Sequence, residues 1–237
     1  MDKIAILIPC YNMGMKIHRM LDSLLGQTYR NFHVVIVDDG STDNSKDVIL
    51  SYNEKFQMLG IDLKYVYQYN AGVSAAMNTA FQHLKGVYFT WPDADDFLQM
   101  NHIERFVSFL ENNKTYNCVR CDANIYLEGN LNNNIGRLSN KKKDRFKEEN
   151  LLYDYIFEKN VYFAPGCYMI RTDAFKKVNY GLSIYPGRGG QNYQILLPMI
   201  YHYKIGYIDE CLYEEKRKIF LNKNEFENTL GNHVCIE

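Results

Sequence analysis

The sequence predicts an α/β fold with a mostly parallel central sheet flanked by helices. In the first half of the chain, short apolar runs alternate with segments in which apolar residues recur every three or four positions. This alternation is typical of strand–helix–strand units, whose right-handed crossovers build a parallel sheet. The chain has 237 residues, of which 46 % are hydrophobic, and no internal repeat or flexible linker divides it. We therefore expect a single domain, residues 1–237.

Four strands are predicted in the first half, and three of them end in, or directly before, proline, glycine or acidic residues. They cover residues 3–9 (KIAILIP), 32–40 (FHVVIVDDG), 62–68 (DLKYVYQ) and 86–91 (GVYFTW). Helices are predicted at residues 18–27, 41–52 and 72–84, and the second of these starts with residues suited to a helix cap.

The second half is less regular. Its patterns predict helices at residues 101–113, 150–159 and 190–203, and strands at residues 117–129 and 166–171. From residue 130 to about residue 148 the sequence is polar and rich in asparagine, which indicates a loop.

Composition limits the partners that the chain can have. Its net charge is −1, so no global positive field favours nucleic acid. We expect a cytoplasmic protein with free thiols, because no apolar run reaches membrane-spanning length and no secretion signal is recognisable. The basic run KKKDRFKEE at residues 141–149 favours a solvated loop. A peripheral contact with an anionic membrane surface or a lipid-linked acceptor is the alternative.

Polar clusters follow all four predicted strands, where a parallel sheet gathers the carboxyl ends of its strands. The clusters are PCYN, DDGSTD, YNAG and PDADD. Parallel sheets bind ligands just beyond these ends. The sequence therefore predicts a binding site at this edge of the sheet.

Asp93 and Asp95 are the strongest candidates for a metal site. In an extended segment, residues two apart point the same way, so the two carboxylates would repel each other unless a cation compensates. Mn²⁺ or Mg²⁺ suits such a pair, with substrate phosphates completing the shell. The alternative is that these acids cap the next helix, which would account for Asp96. A carboxylate at Asp39 could accept a hydrogen bond from N3–H of a uracil ring.

Together these motifs resemble those of the family 2 inverting glycosyltransferases, which have the GT-A fold. The matching segments are ILIPCYN, LDSLLGQTYRNFHVVIVDDGSTDNS, YNAGVSAAMNTAF and YFTWPDADDF, in the family's order and spacing. The last of them contains the family's metal-binding DxD pattern. Each match is weak by itself, whereas four in register are specific.

The resemblance implies roles for individual residues. The residues implied to line the nucleotide pocket are Pro9, Tyr11, Asn12, Asp39, Asn70, Gly72 and Asp93. Asp39 would bind the uracil, and Asp93 and Asp95 the metal ion with its phosphates. Residues 1–97 would bind the nucleotide-sugar, and residues 98–237 the acceptor.

Two departures from the family pattern concern catalysis. Met77 stands where the family usually has arginine, and Gln191 and Asn192 stand where it usually has an acidic pair that supplies the general base. Neither amide accepts a proton near neutral pH. Asp122, Asp173 and His202 are other candidates for the base, although each alone is better explained as a structural residue.

The resemblance implies a metal-dependent enzyme that moves a sugar from a UDP-sugar to a saccharide or lipid-linked acceptor with inversion, in bacterial surface polysaccharide synthesis. A catalytically inactive nucleotide-sugar-binding protein or partner subunit is the alternative, supported by Gln191 and Asn192. A nucleotidyltransferase is a third hypothesis, but its glycine-rich, basic first loop is missing from PCYNMGMK.

Overall fold

The computed structural model describes residues 3–127, 130–141, 149–157, 161, 164–187 and 190–217. Its first half contains β1 (Ile4–Cys10), α1 (Ile17–Leu25), β2 (Phe32–Asp39), α2 (Ser45–Leu50), α3 (Asn53–Met58), β3 (Leu63–Gln68), α4 (Val73–Phe81) and β4 (Tyr88–Thr90). Its second half contains β5 (Phe97–Leu98), α5 (His102–Asn112), β6 (Cys118–Leu127), β7 (Asn130–Arg137), α6 (Leu152–Ile156), β8 (Tyr168–Arg171), α7 (Thr172–Val178), α8 (Gln191–His202) and β9 (Ile205–Arg217).

The described strands form one sheet in the order β3-β2-β1-β4-β8-β6-β9-β5, and β7 pairs with β6 at the side. Strands β1 to β4 are parallel to one another, as the strand–helix alternation predicts. Strand β8 is antiparallel to both of its neighbours, β4 and β6, and thereby joins the two halves of the chain. The predicted α/β class with a central sheet between helices is confirmed.

Burial explains why β1 and the middle of β2 are continuous apolar runs. Ile4 to Ile8 and Phe32 are completely buried, because helices cover both faces of a parallel sheet and leave no side facing water. Helix α4 packs on these two strands through small residues, among them Ala76 and Ala80, which allow a close approach. Met77, in place of the family's arginine, is fully buried in the same core.

Several elements of the second half differ from the prediction. The Asn-rich segment is not only a loop, because residues 130–137 form β7, an antiparallel partner of β6. Strand β9 and helix α7 lack strong periodicity and were not predicted. Strand β9 pairs in parallel with β6 through register shifts at Asp122, so irregular pairing masks its alternation.

Other sequence predictions concern thiols and the membrane. The five described cysteines are free, and four of them are buried. Within the described ranges, no helix combines the length and apolarity that crossing a bilayer requires. Cys235 and residues 142–148 of the basic run lie outside the described residues.

Candidate functional site

A cleft of about 440 Å³ opens at the carboxyl ends of the parallel strands. It is lined by Pro9, Cys10, Tyr11, Met13, Asp39, Asn70, Gly72, Val73, Ala76, Asp93, Ala94 and Asp95. Loops after β1, β2, β3 and β4 all contribute, which is the arrangement expected at this edge of a parallel sheet. The cleft brings together every residue predicted for the nucleotide and the metal except Asn12.

Asp39 organises the loops on one side of the cleft. Its Oδ1 accepts hydrogen bonds from Gln68 Nε2 at 2.6 Å and from the backbone N–H of Ala71 at 2.9 Å. Its Oδ2 accepts one from the backbone N–H of Gly72 at 2.8 Å. A carboxylate offers about four acceptor positions, so Oδ2 retains room for one ligand donor.

Two glycines permit this arrangement. Gly72 has φ +88°, a conformation that residues with a Cβ rarely adopt, and it starts helix α4 from there. Gly40, with φ +77°, lies so close to Asn70 that a Cβ would come within 2.7 Å of its backbone nitrogen. The loops after β2 and β3 therefore pack together only with glycine at position 40.

The loop after β1 is held by the loop after β2. Asn12 has φ +52°, its backbone N–H donates to Ser41 Oγ at 2.8 Å, and its Oδ1 accepts from the backbone N–H of Thr42 at 2.8 Å. Asn12 thus connects two of the loops that form the cleft, whereas Tyr11, with 47 % of its surface exposed, lines the cleft.

The acidic segment after β4 is a turn. The backbone N–H of Asp96 donates to the carbonyl oxygen of Asp93 at 3.4 Å, so the extended conformation predicted for these residues is wrong. Asp93 and Asp95 nevertheless line the same cleft. Burial, together with the negative charges of Asp95 and Glu215, raises the pKa of Asp93 to about 7.

Asp96 does not cap a helix, because the next helix, α5, begins at His102 and has Asn101 as its N-cap. Its carboxylate instead accepts hydrogen bonds from the hydroxyl of Tyr213 at 2.7 Å and the backbone N–H of Lys216 at 2.9 Å. Burial raises the pKa of Asp96, and the neighbouring charge of Asp93 raises it further. The interpretation of Asp96 as a capping residue is therefore wrong.

The residues present are compatible with a divalent cation. Burial first, and then the negative charges of Asp95 and Glu215, raise the pKa of Asp93, and a bound divalent cation would favour its charged form. No group of three metal-ligating side chains occurs in the described part of the chain. Magnesium commonly binds through one or two carboxylates and takes its other ligands from phosphates and water, so Asp93 and Asp95 suffice.

Two cationic side chains lie next to Asp95 in the acidic turn. Lys216 Nζ donates to the carbonyl oxygen of Asp95 at 2.9 Å, and Lys16 Nζ lies 3.9 Å from Asp95 Oδ2. Burial lowers the pKa of Lys216 to about 8, and the positive charges of Arg19 and Lys16 contribute to this shift.

Gln191 and Asn192 form the start of helix α8, outside the residues that line the cleft. Asn192 Oδ1 accepts a hydrogen bond of 2.9 Å from the indole of Trp91, the residue next to the acidic turn. Trp91 is 1 % exposed and stacks on Tyr168, so it belongs to the core.

The other candidate bases lie apart from the cleft. Asp122 is fully buried, and its carboxylate accepts from Arg137 Nε at 2.8 Å and from Ser139 Oγ at 2.6 Å. Asp173 is exposed in the first turn of α7 and bonds the backbone N–H of Ala174. His202 is the last residue of α8, about 16 Å along the helix from Gln191.

Strand β9 supplies site residues that the sequence analysis missed. Tyr213, Glu215 and Lys216 all act on the acidic turn, and the segment LYEEKR carries no familiar motif. Lys16 and Arg19 were also missed. The sequence did contain a signal for these two residues, because cations at the start of a helix are electrostatically unfavourable and therefore need an explanation.

This fold and cleft define an α/β protein that binds its ligand at the carboxyl ends of parallel strands beside an acidic turn. Residues 5–178 match the model of glycosyl transferase family 2. The chain belongs to this family.

Relatives and solved structures agree with the family. A glycosyltransferase named GlyA from Streptococcus pneumoniae is 38 % identical over 103 residues, which are 44 % of this chain and 14 % of that protein. A glycosyltransferase named GlyG from the same species is 32 % identical over 133 residues, 53 % of this chain and 43 % of that protein. The chain thus spans less than half of either relative.

One solved structure, of S. aureus TarS residues 1–349 in complex with UDP-GlcNAc, has a TM-score of 0.70 at 18 % identity and covers 92 % of this chain and 59 % of its own. Another is the mannosyltransferase PcManGT from Pyrobaculum calidifontis with GDP-Man and Mn²⁺. It has a TM-score of 0.67 at 18 % identity, and the match covers 90 % of this chain and 56 % of the PcManGT chain. These similarities show that the fold is GT-A.

Proposed function

We propose that the chain is a metal-dependent, inverting glycosyltransferase that moves a sugar from a UDP-sugar to a saccharide or lipid-linked acceptor in bacterial surface polysaccharide synthesis. The observation that carries this proposal is the meeting of Asp39, Asp93 and Asp95 in one cleft. One carboxylate suits a uracil ring, and the other two suit a metal ion that accompanies a diphosphate. TarS with UDP-GlcNAc and PcManGT with GDP-Man and Mn²⁺ support the same ligand class.

In this proposal, different residues bind the nucleoside, the metal ion and the acceptor. Asp39 accepts the uracil N3–H through Oδ2, while Tyr11 and Asn70 shape the pocket around the nucleoside. Asp93 and Asp95 hold the metal ion, which when bound supplies a Lewis acid for the departing diphosphate. Gln191 and Asn192 at the start of α8 position the acceptor by hydrogen bonding, and as amides they do not take its proton.

Inversion follows from a direct displacement. The acceptor hydroxyl attacks the anomeric carbon from the face opposite the diphosphate, so the protein needs no nucleophile. Asp122 is an unsuitable base, because its buried carboxylate is already paired with Arg137 and Ser139. In this proposal Asp122 is a structural residue of β6.

The proposal is tested by measuring UDP affinity calorimetrically with and without Mn²⁺. Asp95→Ala should abolish the metal-dependent part of the affinity. Asp122→Ala is the matched control, and it should leave UDP affinity unchanged at a temperature where the variant is folded. Equal affinity of the wild-type protein for UDP with and without Mn²⁺ would contradict the assignment.

A catalytically inactive nucleotide-sugar-binding protein is the second candidate function. The observation that favours it is the hydrogen bond between Asn192 and Trp91, which ties a neutral amide at the place where the family usually has its base. UDP release from a panel of UDP-sugars with Mn²⁺ and saccharide acceptors separates the two functions. Tight UDP binding without turnover of any donor supports the inactive binder.

A further inference from the structure

Residues 179–187 follow helix α7, lead towards α8 and lie beside the first turns of α4. Ser74 Oγ donates a hydrogen bond of 3.4 Å to the carbonyl oxygen of Gly187. Val73, the residue before Ser74, lines the cleft, and Ser74 itself is buried. The segment therefore passes along the rim of the cleft, next to the wall that α4 contributes. We call residues 179–187 the rim segment.

Two side-chain amides hold the middle of the rim segment. Asn78 of α4 binds both backbone groups of Ile184, because its Nδ2 donates to the carbonyl oxygen at 2.8 Å and its Oδ1 accepts from the N–H at 2.8 Å. Gln194 of α8 binds Tyr185 in the same way, with its Oε1 accepting from the N–H at 2.6 Å and its Nε2 donating to the carbonyl oxygen at 3.2 Å. Two successive residues are thus fixed to two different helices.

The ring of Tyr185 is exposed although its backbone is fixed. Pro186 follows it and restricts its backbone to extended conformations. The ring lies against Gly187, where an added Cβ would come within 2.3 Å of Tyr185 Cε1. Tyr185 nevertheless has 75 % of its surface exposed. The rim of the cleft therefore presents a fixed aromatic ring to the solvent.

Tyr180 shows that exposure alone does not distinguish Tyr185. It belongs to the same rim segment and is 91 % exposed. The residue after it is not a proline but Gly181, which has φ +87°. The two amides bind the backbone four and five positions further on. What sets Tyr185 apart is its fixed backbone and the contact of its ring with Gly187.

A saccharide is the class of ligand that this ring suits. One face of a pyranose sugar consists largely of C–H groups, which pack on an aromatic ring, while its hydroxyl groups need hydrogen-bond partners around the edge. The hydroxyl of Tyr185 and the half-buried amide of Gln191, the first residue of α8, are uncharged groups of this kind. In the proposed function the donor nucleotide occupies the cleft, so a sugar at the rim belongs to the acceptor.

We propose that Tyr185 stacks on a sugar unit of the acceptor and thereby selects saccharide acceptors, an inference that rests on the proposed function. The ring takes no proton and forms no bond with the reacting atoms. It holds the acceptor sugar beside the start of α8 and the wall of the cleft. Its removal should therefore weaken acceptor binding and leave nucleotide binding unchanged.

The test is saturation-transfer NMR with the methyl glycosides of glucose, galactose and N-acetylglucosamine as probes, in the presence of UDP and Mn²⁺. The wild-type protein should bind at least one of them, with the strongest transfer to the C–H protons of one sugar face. Tyr185→Ala should weaken that affinity roughly tenfold, whereas Tyr185→Phe should keep most of it. Gly187→Ala should also weaken it, because the added methyl group displaces the ring. Calorimetry should give wild-type UDP affinity for all three variants.

Tyr180→Ala is the matched control, since it removes an even more exposed tyrosine from the same rim segment. Glycoside binding that is unchanged in Tyr185→Ala, or weakened equally in Tyr180→Ala, overturns the inference. A parallel loss of UDP affinity in Tyr185→Ala also overturns it, because the ring would then serve the donor. Wild-type protein that binds UDP but none of the glycosides overturns this inference alone, whereas protein that does not bind UDP overturns the proposed function.

Discussion

The indole Nε1 of Trp91 donates a hydrogen bond of 2.9 Å to Oδ1 of Asn192. An indole N–H only donates, so Asn192 must present its oxygen to Trp91 and keep Nδ2, a donor, for other partners. The bond links the residue that precedes the acidic turn to the start of helix α8. It therefore fixes the position of α8 relative to the cleft.

Asn192→Leu should destabilise the protein by about 1–3 kcal/mol, because the buried indole N–H of Trp91 would lose its acceptor. Asn192→Asp keeps an acceptor at this position and should cost less. The free energy of unfolding is measured by urea denaturation. Gln191→Ala, at the neighbouring half-buried position, is the control. Equal stability of Asn192→Leu and Gln191→Ala would show that the bond contributes nothing.

Tyr213→Phe should weaken Mn²⁺-dependent UDP binding without abolishing it. The hydroxyl of Tyr213 donates to Asp96 at 2.7 Å and accepts from the backbone N–H of Asp93 at 3.3 Å, so it holds the acidic turn in shape. Its loss should also cost about 1–3 kcal/mol of stability, since Asp96 is buried. Calorimetry of UDP with Mn²⁺ and urea denaturation give the two quantities. Tyr207→Phe on the same strand is the control, and equal UDP affinity of the two variants would refute the role of Tyr213.

Asp39→Asn should weaken the binding of UDP, UMP and uridine by similar factors. The carboxylate of Asp39 accepts the N–H groups of Ala71 and Gly72 through different oxygens, and an amide turns a donor towards one of them. We expect a loss of roughly tenfold or more in affinity for each ligand, together with lower stability. A loss confined to UDP would contradict the role of Asp39 at the base.

Much of the first half could be predicted from the sequence, because the strands β1, β2 and β4 are buried on both faces. Complete burial selects continuous apolar runs such as IAILIP, and the turns between them require glycine, proline or acids. Strand β9 gave no such signal. Its pairing with β6 shifts register near Asp122, so buried and exposed positions do not alternate along the sequence.

The residues around the cleft differ in the same way in how well the sequence predicts them. Residues that line the cleft from their own loop, such as Asp39 and Asp95, lie in local motifs and could be identified as site candidates. Lys216 and Tyr213 act from a strand more than 100 positions away, and their proximity to the turn depends on the pairing of β9. Sequence spacing does not reveal contacts of this kind before the topology is known.

His102 should make the protein less stable as the pH falls from about 6.5 towards 4. Its ring is completely buried, with Nδ1 bonded to the carbonyl oxygen of Leu212 at 2.8 Å and Nε2 without a hydrogen-bond partner in the described structure. Burial lowers the pKa of His102 to about 4, below the value of about 6.5 in an unfolded chain. The unfolded state therefore binds the proton first, and stability is lost as the pH falls through this window.

Each pH unit in this window should cost about 1.4 kcal/mol, and the whole window about 3 kcal/mol. The raised pKa of Asp96 acts in the opposite direction, since a folded state that holds its proton more tightly is favoured by acid. The informative quantity is therefore the difference in the free energy of unfolding between wild type and His102→Gln, a variant that keeps a donor for the Leu212 carbonyl. Measured by urea denaturation, this difference should change by about 2 kcal/mol in favour of the variant between about pH 7 and pH 5. A difference that does not change with pH would mean that His102 has the same pKa in the folded and unfolded states.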